Sequence, residues 1–122
     1  MFIKKNSSAS VLKVLDCTFR DGGYYNNWDF DTLVVQKYLH AIANANIDIV
    51  ELGFRNFPQD FFLGAFAYTS DTYINSLDIS DHIFVCVMID ANSILKSDYS
   101  KNDAIRLLFQ PKERSRVDLV RI

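Results

Sequence analysis

Arg20 and Asp21 sit side by side at the end of an apolar run, in the stretch Leu15-Asp-Cys-Thr-Phe-Arg-Asp-Gly-Gly-Tyr24. A guanidinium suits a carboxylate or a developing oxyanion. A carboxylate suits a hard cation that prefers oxygen ligands. Gly22 and Gly23 follow directly and permit a tight turn after the pair. Further charges stand near the ends of later apolar runs: Glu51 and Arg55, then Asp90, then Arg121. Together with Asp16 they make a set of carboxylates and arginines able to hold an anionic substrate and move its protons.

Four apolar runs must position these side chains: Val11–Phe19, Ile47–Phe54, Ile83–Ile89 and Val117–Ile122. All are rich in Val, Ile, Leu and Phe and nearly continuous, which fits strands buried on both faces of a parallel sheet. Between the first two, Asp31–Ala45 puts Val35, Tyr38, Leu39 and Ile42 on one helical face, with Asp29 or Asp31 as its cap. Shorter helices are expected near Asp71–Leu77, capped by Ser70 or Asp71, and near Asn102–Phe109, stopped by Pro111. The order is β-α-β-α-β-α-β, and the fold class is α/β: about four parallel strands with intervening helices. One domain covers 1–122, with 1–10 expected to be flexible. The segment Arg55–Tyr68 is long and carries Phe57, Phe61, Phe62, Phe66 and Tyr68. A loop of that length is usually functional, although packing of its rings on the core explains it at least as well.

Side chains alternate across a strand. Asp16, Thr18 and Arg20 therefore share one face of the first strand, and Glu51, Gly53 and Arg55 one face of the second. Asp90 falls with Met88 and Cys86, and Arg121 opposes Val120 and Ile122. Each strand brings a charge to its C-terminal end, where parallel α/β enzymes assemble their sites. A single such charge marks no more than a strand emerging into solvent. Four of them, of both signs and on converging faces, point to a site, because isolated buried charges are too costly to keep without partners.

Composition narrows the function. Thirteen Lys and Arg against 15 Asp and Glu give a net charge of -2. No basic stripe appears, so no nucleic-acid partner is expected. No run approaches the roughly 20 apolar residues of a membrane span. The polar Asn6-Ser-Ser-Ala-Ser10 stands where a signal peptide would be apolar. The expectation is a cytoplasmic protein with no membrane partner, in which Cys17 and Cys86 are reduced core thiols. Schiff-base chemistry is disfavoured, since no lysine lies at an expected strand tip and Lys13 is near a strand start. No G-x-G-x-x-G or Walker sequence follows Gly22-Gly23.

Asp16-Cys-Thr-Phe-Arg-Asp-Gly22 resembles the D-x-T-L-R-D-G signature of the HMG-CoA lyase-like, or DRE-TIM metallolyase, superfamily. That group includes 4-hydroxy-2-oxovalerate aldolase, HMG-CoA lyase and the isopropylmalate and homocitrate synthases. The likeness continues through a helix, Ile49-Val-Glu-Leu-Gly-Phe-Arg55 and two further strands in the right order, with Phe19 where Leu is usual. It implies the N-terminal half of a TIM (β/α)8 barrel and a divalent metal, Mn²⁺ or Mg²⁺, at the barrel's C-terminal mouth. It implies Asp21 as a metal ligand and Arg20 as the catalytic group facing the substrate's carboxylate or enolate oxygen. Glu51 and Asp16 become catalytic carboxylates that orient Arg20 or relay protons. With Arg20, Arg55 and Arg121 are the candidates to bind substrate.

The implied reaction makes or breaks a carbon–carbon bond next to a 2-oxo acid through a metal-held enolate. A Claisen-type acyl-CoA condensation is the alternative chemistry, and a non-catalytic α/β binding module the alternative class. The family's His-x-His pair has no counterpart. His40 lies on the first helix and His82 precedes the third strand, so both read as surface or capping residues. Four strands are half of eight. The chain therefore reads as the N-terminal half of a longer enzyme, with metal weakly bound or absent and little activity alone. It is expected to form homo-oligomers through exposed half-barrel edges or its open face.

Overall fold

The structure, a computed structural model, describes residues 12–122. The flexibility expected for 1–10, and Val11 at the start of the first run, lie outside the described residues. Four strands, β1 (Leu15–Asp16), β2 (Ile49–Phe54), β3 (Phe84–Met88) and β4 (Val117–Arg121), form one sheet in the order β1-β2-β3-β4. All neighbours pair in parallel. The order never reverses, so the sheet has no switch point of the doubly wound kind. It is built like part of a barrel wall and is not closed: an α/β fold corresponding to half of a TIM-barrel-like domain.

Among the described residues five α-helices accompany the strands: α1 (Thr18–Gly22), α2 (Thr32–Asn44), α3 (Asp71–Ser76), α4 (Ala91–Leu95) and α5 (Lys101–Leu108). Asp31 caps α2, its carboxylate accepting the Leu33 and Val34 N–H groups, which is worth about 1 kcal/mol. Val35, Leu39 and Ile42 on that helix join Val50, Leu52, Val85 and Val87 of the sheet in one buried cluster. Each such side chain contributes roughly 1.5–3 kcal/mol by leaving water. Ser70 and Ser100 cap α3 and α5 in the same way, accepting from Tyr73 N–H and Asp103 N–H. Among the described residues, no helix is long and apolar enough to cross a membrane.

Two local departures alter the faces that alternation predicts. First, the run expected as a strand over Val11–Phe19 keeps strand geometry at Leu15–Asp16 and then coils. The Asp16 carboxylate accepts the Thr18 N–H at 2.9 Å and the Thr18 hydroxyl at 3.1 Å. The Asp21 N–H then closes on the Cys17 carbonyl at 2.9 Å. The motif is thus a capped helical turn, α1, and Phe19 stacks with Phe66 at 4.7 Å in the core.

Second, β2 and β3 slip register between Glu51 and Gly53. A Cβ at Gly53 would lie 1.9 Å from the Phe66 carbonyl oxygen, on the side of the core. Glu51, Gly53 and Arg55 therefore do not share a face. The aromatic loop divides its rings: Phe66 is buried, Phe57 stacks on Tyr99 at 5.6 Å, and Phe61 and Phe62 face solvent.

Candidate active site

Glu51 is fully buried, yet both of its oxygens are taken. Oε1 accepts from Arg20 Nε at 2.7 Å and Oε2 from Arg121 Nη1 at 2.8 Å. Three elements converge here: α1 just past the tip of β1, the middle of β2, and the end of β4. A buried carboxylate without partners would be expensive, and two guanidiniums partner this one; with Asp21 on Arg20, the cluster sets two cations against two carboxylates. The Glu51 hydrogen bond holds the Arg20 pKa above its ordinary value, so Arg20 is a permanent cation. Asp21 approaches Arg20 Nη1 through one oxygen at 3.2 Å, and its side chain is 69% exposed.

The Trp28 indole N–H donates to the Arg20 carbonyl at 2.9 Å and fixes the backbone of the turn. Trp28 itself sits in the left-handed region, at φ 56°, a conformation that bulky residues adopt only when their surroundings hold them there. Gly23 makes room for it, since a Cβ there would lie 1.9 Å from Trp28 Cδ1. The backbone at Gly22 and Gly23 is ordinary right-handed helix, with φ of -67° and -62°. Close approach, rather than a special turn, is what requires glycine at position 23. Cys86 lies 3.8 Å from Glu51 Oε2. Burial and the Glu51 charge push its thiol up to about 11, so it is a neutral neighbour and no nucleophile.

The structure brings Arg20, Glu51, Arg121 and Asp21 together and leaves three of the expected charges elsewhere. Asp16 spends both oxygens on Thr18 and positions the turn. Arg55 is buried on the other side of the register slip. Its Nε donates to the Thr69 carbonyl at 2.7 Å and its Nη1 to the Leu108 carbonyl at 2.6 Å. Its Nη2 lies 3.0 Å from Asp71 Oδ1, and the guanidinium covers the Phe109 ring. Arg55 therefore ties β2 to α3 and α5. Asp90 caps α4 through the Asn92 N–H at 2.9 Å. Trp28 was not anticipated as part of the site; a lone tryptophan in a polar stretch just after the motif was the available signal.

The donors present do not by themselves fit the divalent metal that the motif implies. Mn²⁺ and Mg²⁺ want about six oxygen ligands. Glu51 is occupied by arginines, and Asp21 offers one carboxylate. No three His, Cys, Asp or Glu side chains converge among the described residues. His40 pairs with Asp78 at 3.0 Å, and His82 bonds Ser80 at 2.7 Å, both exposed. Lys13 is held by Asp48 at 3.0 Å, before β1.

No protein-family model matches the chain, and no curated protein matches it. A solved structure does. A protein from Bacteroides vulgatus, described as "the N-terminal domain of a putative aldolase", matches with TM-score 0.75 and 35% identity, covering 89% of this chain. The match covers 34% of that protein's chain, so this chain spans about a third of its length. The likeness is to an aldolase-type N-terminal domain, and its description names neither a superfamily nor a metal.

Proposed function

We propose that this chain forms the N-terminal half of the active site of an aldolase or lyase acting on a 2-oxo acid. The observation that supports it most is the buried Glu51, in the middle of β2, held between Arg20 just past β1 and Arg121 at the end of β4 in an open parallel sheet. In the cleaving direction, the bond between C3 and C4 of a 4-hydroxy-2-oxo acid breaks. Its electron pair moves onto the C2 oxygen as an enolate, and the 4-hydroxyl proton leaves to a base. Arg20, pinned through Nε, has N–H groups left for that oxyanion, where a fixed donor is worth roughly 10²–10³ in rate. Arg121, half exposed, suits the substrate carboxylate. Asp21 is proposed as one ligand of Mn²⁺ or Mg²⁺.

The test is turnover of a panel of 4-hydroxy-2-oxo acids by the protein at its natural length, with and without Mn²⁺. Arg20→Gln is expected to lower kcat by roughly 10²-fold or more. Unchanged turnover in Arg20→Gln would overturn the reading. Unchanged Mn²⁺ dependence in Asp21→Ala would remove the metal role of Asp21.

A further inference from the structure

A cavity of about 510 Å³ opens at the C-terminal ends of β2, β3 and β4, a size typical of small-molecule sites. Tyr24, Trp28, Phe54, Phe61, Leu63 and Met88 form its walls. Trp28 meets Phe54 edge to face at 5.6 Å and Tyr24 at 4.8 Å. Such a corner receives a flat or branched apolar group well. Phe61 is 65% exposed at its rim, a large ring left in water on the aromatic loop. The cavity and the charge cluster are neighbours along the backbone, although no cluster side chain lines the cavity. Trp28 is bonded to the Arg20 carbonyl, and Met88 is the register partner of Arg121.

Its lining, among the described residues, carries a carboxylate and hydroxyl and amide groups but no cation, unlike the cluster. The Asn56 and Gln59 amide N–H groups are given to the Ala67 and Phe57 carbonyls, which leaves their own oxygens as acceptors. Asp90 adds a carboxylate, and no Lys, Arg or His lines the cavity among the described residues. An anionic head is repelled here and attracted to Arg20 and Arg121. Resting on the reading above, we infer that the substrate is a 2-oxo acid with an aromatic or branched aliphatic substituent. Its head lies on the two arginines and its substituent fills this cavity.

Trp28 is the sole tryptophan, so its indole N–H gives one reporter signal in a ¹H–¹⁵N spectrum of the 122-residue chain. Titrations with 2-oxo-4-phenylbutanoate and 2-oxobutanoate compare the same head with and without a ring. The expected result is a saturable shift of the Trp28 signal by the aryl acid and an affinity about tenfold higher. Phe61→Ala, at an exposed position that the fold does not need, is expected to reduce that advantage. Equal affinity for the two acids, or an aryl advantage untouched by Phe61→Ala and Leu63→Ser, would overturn the inference while leaving the 2-oxo acid reading in place. Binding of neither acid would overturn that reading and the inference with it.

Discussion

Glu51 has no solvent contact and two guanidiniums, so its charge is the reason Arg20 and Arg121 stand where they do. Glu51→Gln keeps the volume and removes the charge, leaving two cations against a neutral amide. Urea denaturation is expected to show a loss of about 3 kcal/mol; a loss within experimental error would mean that the arginines do not depend on this carboxylate. Arg20 and Arg121 were legible in the sequence because each stands at or just past the end of an apolar run, and Glu51 because it interrupts one. Arg55 was legible as a charge but not as a location. Its place depends on a register slip next to Gly53, and alternation along one strand cannot reveal what a neighbouring strand will do. Asp16 was misleading for a related reason: a carboxylate two residues before a threonine caps a turn as readily as it lines a site.

At the scale of elements, the long helix Asp31–Ala45 was read to within a residue at each end, because cap and apolar face agree. The motif is strand only at Leu15–Asp16 and helical from Thr18, since an apolar run of that length does not distinguish strand from helical turn without its hydrogen bonds. The Arg55–Asp71 pair is what now joins β2 to α3, and it makes the fold sensitive to acid. Burial alone would raise the Asp71 pKa, but hydrogen bonds from Arg55 and Ser115 outweigh it and hold the carboxyl below its ordinary 3.8. The unfolded chain therefore takes up this proton first. The stabilisation is complete above the ordinary value and is lost as pH falls from there through the lower folded value. The urea midpoint is expected to fall across that window, and less so in Asp71→Asn. An identical pH profile in the variant would show that the pair does not carry the effect.

At the scale of the whole molecule, the fold class and strand order followed from four apolar runs spaced by helices, while the openness of the sheet followed only from their number. β4 pairs with β3 and with no further strand among the described residues, and Leu119 and Val120 on it are 41% and 44% exposed. An edge of this kind recruits another strand. Sedimentation velocity of the 122-residue chain is expected to show concentration-dependent self-association that Val120→Lys weakens; a strict monomer at every concentration would contradict this. The half-barrel matters to function only if its two arginines form a receptor for a 2-oxo acid, and oxalate, shaped like the enolate of pyruvate, tests that most directly by calorimetry at low ionic strength. Saturable one-to-one binding, weakened about tenfold in Arg121→Gln, is the expected result. No binding, or binding indifferent to Arg121, would contradict it.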